Sequence, residues 1–144
     1  MIRTVLAVAT VAIGVTAAVA QSDVIKARQA LMKANSGQNR VATEMLEGKR
    51  AFDLAAAKKV FATFADAGTK ALALFPEGSQ SGDTAALPAI WKNKADFDAR
   101  LKKFAADAKA AGDATKDLAS FKAQAKGVRA QCGACHKMYR KKKS

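Results

Sequence analysis

Apolar residues return every three or four positions through four successive stretches of this chain, a spacing that fits one face of an α-helix. In the first stretch, from about Asp23 to Leu46, Val24, Leu31, Ala42 and Met45 share a seam with Arg28, Asn35 and Gln38, which makes the stripe unusually polar for a core. The second, from about Asp53 to Phe75, is cleaner, with Leu54, Ala57, Phe61, Phe64, Gly68, Ala71 and Phe75. The third runs from about Ala89 to Ala111 through Ile90, Phe97, Leu101, Phe104 and Ala108, interrupted only by Lys94. The fourth, from about Ala114 to Arg140, carries Leu118, Phe121, Ala125, Val128, Cys132, Cys135 and Tyr139. No stretch reads as a strand of consequence, and no repeat marks a solenoid.

The punctuation between the stripes supports the same reading. Ser22 or Asp23 can cap the first helix, Gly48 lies in the first connection, and Gly112-Asp113 separates the third helix from the fourth. The longest break, Pro76 to Pro88, is rich in turn formers and bracketed by the only two prolines of the chain. A chain of 144 residues that is 50% hydrophobic is long and apolar enough for one domain with a real core, which excludes disorder as the main state. The expected fold is therefore all-α: four helices packed as an antiparallel up-down-up-down bundle. The first and fourth helices are then neighbours running in opposite directions.

The first twenty residues read as an address. Arg3 precedes an uncharged apolar stretch from Val5 to Val19, and Ala18-Val19-Ala20 gives the small-x-small pattern that precedes signal cleavage. The stretch is short of the ~20 strongly apolar residues a membrane span needs. Cleavage before Gln21 leaves residues 21–144 as the mature domain and removes one positive charge, Arg3, from the net +13. The expected location is the periplasm. A strongly basic exported protein suits acidic protein partners or an anionic membrane face better than nucleic acid. Most of its lysines nevertheless read as solvation of helix faces.

One motif carries chemistry. Cys132-Gly133-Ala134-Cys135-His136 has the CxxCH spacing of covalent c-type haem attachment. Two thiols must reach the two vinyl groups of one porphyrin while the next residue turns an imidazole onto the iron. Both cysteines fall on the inward stripe of the fourth helix, and His136, one turn beyond Cys132, lies on an adjacent inward line. A thioredoxin-like dithiol needs a βαβ setting that is not visible, and structural zinc needs four ligands where the chain offers two Cys and one His. A disulfide across three residues would staple almost nothing.

With CxxCH near the C-terminus of a four-helix chain, followed by Tyr139-Arg140, the sequence resembles the class II cytochromes c, the family of cytochrome c′. Arg28-Gln29-Ala30-Leu31-Met32, Leu74-Phe75-Pro76-Glu77-Gly78, and Pro88-Ala89-Ile90-Trp91 with Asp96-Phe97 carry the resemblance over essentially all of residues 22–142. It implies one covalent haem c held by Cys132 and Cys135, with His136 on the iron. It also implies that Arg28 and Gln29 contact the haem propionates. For Arg28 this agrees with physics, because a cation on an inward stripe is costly unless paired. Asp83 and Thr84 are weaker candidates for the same haem edge.

The function turns on the face of the iron opposite His136. Met138 follows His136 by two residues on the same helix and cannot reach that face, and Met45 lies roughly 20 Å along the first helix from Met32. An antiparallel bundle places Met32 beside the end of the fourth helix, one turn from Arg28. The resemblance allows two outcomes. With Met32 as sixth ligand, as in low-spin relatives, the protein is a periplasmic carrier of single electrons; with a five-coordinate, high-spin iron it binds nitric oxide or carbon monoxide. Plain core packing is the third use of a methionine there. No catalytic constellation marks an enzyme. The partners expected are redox proteins with acidic surfaces, with peripheral membrane contact and a homodimer through the first two helices as further expectations, the latter from the resemblance.

Overall fold

The computed structural model describes the backbone of residues 12–142 and the side chains of residues 21–142. The expected signal segment, residues 1–20, thus lies outside the described residues except for the helical backbone of 12–20, and residues 143–144 lie outside them too. Five helices follow in order: α1 (Ala12–Leu46), α2 (Leu54–Ala71), α3 (Ala89–Lys92), α4 (Lys94–Ala114) and α5 (Leu118–Tyr139). The four long ones form the antiparallel bundle. Among the described residues the sole extended pairing is an isolated bridge between Ala86 and Arg140.

Local chemistry sets most boundaries. Asp53 caps α2 by accepting a hydrogen bond from the Ala56 amide at 2.6 Å, and Asp117 with Ser120 forms a reciprocal capping box at the start of α5. Other boundaries differ from those expected. Neither Ser22 nor Asp23 begins α1, because the Ala- and Val-rich residues before them continue the helix from Ala12. The third stretch is split at Asn93 (φ −125°, ψ 44°), whose side chain turns back to donate to the Ala89 carbonyl. Gly112-Asp113 does not divide the last two helices either: α4 runs through both, and the break comes at extended Thr115, whose hydroxyl donates to the Ala111 carbonyl at 2.7 Å. Gly112 serves packing instead, since a Cβ there would lie 3.3 Å from Phe61 Cβ.

The helices pack unequally. Between α2 and α4 the approach is close enough that a Cβ on Gly68 would meet Ala105 Cβ at 3.0 Å and the Leu101 carbonyl at 3.1 Å. Phe61, Phe64 and Phe121 fill the main core with Met45 and Val60, and Phe61 meets Phe121 edge-on at 5.5 Å. A second cluster of Ile90, Phe97 and Tyr139, flanked by Phe75, Trp91 and Cys135, sits near the end of α5. Helix α1 lies along α2 and α5 along α4, whereas α1 and α5 meet sparingly. Arg129 of α5 spans that gap by donating to Asn39 Oδ1 and Thr43 Oγ1 of α1, both at 2.8 Å.

Candidate functional site

The gap between α1 and α5 is a cavity of about 850 Å³. Its α1 wall presents Arg28, Met32, Asn35 and Asn39, residues four, three and four apart on one helix face. Its α5 wall presents Arg129, Cys132, Cys135, His136, Tyr139 and Arg140, while Phe64, Phe75, Ile90, Phe97 and Leu101 supply the apolar back. Cys132, Cys135, His136, Met32, Arg28 and Gln29 all line this one space, as does Thr84. Asp83 instead borders a smaller space of about 340 Å³ beside Gln21 and Lys26.

The three methionines of the described residues separate clearly. Met45 is 1% exposed within the main core, and Met138 is exposed and away from the cavity lining. Met32 lines the cavity and is 42% exposed, so its thioether is not consumed by core packing.

Burial tunes the α5 groups. It raises the pKa of both half-buried thiols above their ordinary value, so they remain protonated at neutral pH, unlike the depressed thiol of a dithiol oxidoreductase. Burial first, and the charge of Arg140 second, lower the pKa of His136. Its imidazole is thereby kept neutral, with a ring lone pair free to ligate a metal.

Arg28 is 7% exposed and faces no carboxylate among the described residues. Its guanidinium donates from Nε to the Leu74 carbonyl at 2.5 Å, from Nη1 to the Ser79 carbonyl at 3.0 Å, and from Nη2 to Ser79 Oγ. It also lies 4.3 Å from the centre of the Phe75 ring. The residue expected to meet an anion is thus also the clamp that ties α1 to the loop after α2. Gln29 is exposed and donates to the Asp83 carbonyl at 3.0 Å, fastening the same loop further along.

The far rim is stitched more firmly than the sequence suggests. The Leu87 amide donates to the Tyr139 carbonyl at 3.0 Å and the Lys141 amide to the Ala85 carbonyl at 2.8 Å. Lys141 is therefore held against the loop. The Tyr139 hydroxyl donates to Asp96 Oδ2 at 2.5 Å, and Arg100 pairs with the same oxygen at 2.7 Å. The hydrogen bond from Arg100, then that from Tyr139, holds the Asp96 carboxyl below the usual aspartate range. With a folded-state pKa depressed, its contribution is present above the unfolded value and lost as pH falls through the folded one. Asp96→Asn is expected to reduce the acid-side fall in stability and leave the stability profile above pH 6 parallel to the parent's, read from urea midpoints across pH.

The lining fits a haem with two propionates. No Asp or Glu borders the cavity, while Arg28, Arg129 and Arg140 do, so the space favours an anionic guest. Buried Asn35 Oδ1 has no hydrogen-bond partner, as expected of a polar wall built to face something else. Two thiols and a neutral imidazole on one helix face match a group held by two thioethers and one nitrogen ligand. Sequence reasoning passed over Arg129, although it stands one turn before Cys132 on the inward side. It also missed the Asp96–Tyr139 bond, which joins residues distant in sequence.

Comparison with known proteins agrees with this geometry. A family model described as Cytochrome C′ matches residues 23–140. Cytochrome c′ of Rhodopseudomonas palustris is 46% identical over 135 residues, 93% of this chain and 92% of that protein. Cytochrome c-556 of Agrobacterium fabrum is 35% identical over 120 residues, 83% of this chain and 82% of its own. Among solved structures, cytochrome c′ from R. palustris superposes with a TM-score of 0.81 at 46% identity, covering 85% of this chain and 98% of that one. Cytochrome c prime from Shewanella frigidimarina gives 0.78 at 31% identity, covering 85% and 97%.

Proposed function

The chain belongs to the cytochrome c′ family, and from that premise we propose that it is a periplasmic carrier of single electrons in which His136 and Met32 would both hold the haem iron. Cytochromes of this family carry electrons or bind small ligands at one covalent haem c. Among the described residues no helix is long and apolar enough to cross a membrane. The observation that carries the finer reading is the placement of Met32, the one described methionine that lines the cavity, on the wall facing the helix of His136.

Haem c supplies, when bound, an iron that alternates between two oxidation states by one electron. The chain's own residues do the rest. Cys132 and Cys135 offer the thiols for two thioether bonds, and His136 offers a neutral ring nitrogen, held ready by burial and by Arg140. Met32 brings a soft thioether, which favours the reduced metal relative to a nitrogen ligand. Phe64, Ile90 and Phe97 keep the back of the cavity dry, and Arg28 and Arg129 place positive charge beside an anionic guest. The relatives named cytochrome c′ and cytochrome c-556 support a carrier or ligand binder rather than an enzyme.

A second reading, a five-coordinate iron that takes nitric oxide or carbon monoxide, draws support from the 46% identity to a protein named cytochrome c′. Optical and EPR spectra of the haem-loaded protein choose between them. The carrier reading expects a low-spin ferric spectrum that becomes high-spin in Met32→Ala, with carbon monoxide bound by the reduced variant far more readily than by the parent. A parent that is already high-spin, and unchanged by the substitution, removes Met32 from the iron.

A further inference from the structure

The charge of this protein is segregated. Residues 24–43 and 118–144, which include the α1 and α5 walls of the cavity, contain twelve Lys and Arg and no Asp or Glu. Residues 44–117 contain twelve Lys and Arg against eleven Asp and Glu. With Asp23 and Glu44, the two acids of α1, counted in, α1 carries +2 and α5 with its tail +8, together +10 of the net +13.

Ordinary solvation of helix faces does not produce this pattern. On α4, cations are answered one turn away: Lys94 by Asp98, Arg100 by Asp96, Lys103 by Asp107 and Lys109 by Asp113. On α5 there is no acid to answer Lys122, Lys126 or Lys137. On α1, Lys26, Lys33 and Arg40 recur at intervals of seven, and Arg40 alone has a partner, Glu44 just beyond the acid-free stretch. The helix dipole accounts for cations in the last turn of α5 but not for those earlier in it. Lys26, Lys33, Arg40, Lys122, Lys126 and Lys137 are all exposed.

Between the cationic lines the surface is small and neutral. Of the residues lining the cavity besides Met32, Gln29, Ser36, Ala85, Ala130 and Arg140 are exposed, three of them small and all but Arg140 uncharged, and Gly133 and Ala134 of α5 are exposed as well. Small side chains let another surface come close to the cavity, which a short electron path needs. Exposed large hydrophobics among the described residues are Met32, Leu54 and Met138, with no aromatic among them, whereas helices that lie in a lipid interface use Trp, Phe and Leu.

We propose that the α1/α5 face around the cavity opening is the docking surface for a redox protein whose own docking face is rich in carboxylates around a small neutral centre. This rests on the carrier reading. The cations set the encounter rate and orientation, and the small residues set the distance of approach.

The test compares two double variants of the haem-loaded protein with the same change in net charge: Lys33→Glu with Lys137→Glu on the proposed face, and Lys58→Glu with Lys102→Glu away from it. The first readout is oxidation of the reduced protein by hexacyanoferrate(III), in which one electron passes to the oxidant and leaves it as hexacyanoferrate(II). The parent rate is expected to fall as salt rises, and the first variant to be slower by roughly tenfold at low ionic strength, with the second close to the parent. Equal slowing in both variants overturns the proposal, because net charge alone then explains it. An absorption spectrum matching the parent's separates lost charge from damaged ligands. The second readout is binding to poly-L-glutamate and to phosphatidylglycerol vesicles. Binding to polyglutamate that depends on Lys33 and Lys137 supports the proposal; binding to vesicles alone with that dependence overturns it in favour of a membrane. A protein that exchanges no electron with hexacyanoferrate defeats the carrier reading, while polyglutamate binding still decides the surface.

Discussion

Replacing both cysteines, Cys132→Ser with Cys135→Ser, is expected to abolish covalent haem: acidified acetone should strip all colour from the variant and none from the parent. The thiols stand on the cavity wall beside His136, and serine hydroxyls form no thioether. Each single substitution leaves one possible link, so its colour should resist extraction while its absorption maximum shifts. The double variant also tests what the fold owes to the attachment. Without its guest, the apolar lining of Phe64, Phe75, Ile90 and Phe97 around the cavity of about 850 Å³ loses packing contacts, and buried Asn35 Oδ1 is left without a partner. Lower thermal stability should accompany lost colour. Haem that resists extraction from the double variant would refute attachment at these positions.

The second large effect is structural. Phe61→Ala should destabilise the protein by about 3–5 kcal/mol, because Phe61 is 0% exposed and the backbone around it leaves little room to collapse. The chain at Gly112 passes so near that a Cβ added there would lie 3.3 Å from Phe61 Cβ, and Phe121 is stacked edge-on at 5.5 Å. The melting temperature should fall on the order of 10–20 °C. Leu54→Ala is the control: Leu54 belongs to the same apolar stripe but is 38% exposed, so its change should stay within about 0.5 kcal/mol. Urea unfolding of both haem-loaded variants measures the contrast. Equal losses would show that the stripe, and not burial in the bundle, sets the energetics.

Leu54 and Phe61 also show how far periodicity can be read. Spacing along a helix names the residues that share a face, but it does not say where the neighbouring helix ends. The split at Asn93 and the run of α4 through Gly112 were hidden for a related reason. A single Asn or Gly is compatible with helix or break, and contacts from other segments choose: Gly112 is retained in the helix where Phe61 comes close.

For the site, the division follows range. Cys132, Cys135 and His136 are legible because one helix places all three, and three- and four-residue steps dictate their common face. Met32 is legible once two helices are known to be antiparallel. The clamp from Arg28 to Leu74 and Ser79, the Asp96–Tyr139 bond and the bridge from Arg129 to Asn39 join residues far apart in the chain, and no local pattern encodes their meeting.

The amino-acid sequence by itself determined four amphipathic helices, a haem-attachment motif on the last of them, and a positive charge concentrated on that helix and its tail. Only the tertiary structure decided that the first and last helices stand apart to leave a cavity and that Arg28 also secures the loop beside it. The physical reason is that helix periodicity is a property of neighbouring residues, whereas an opening between helices depends on how every other pair packs, and α2 against α4 takes the closest contact.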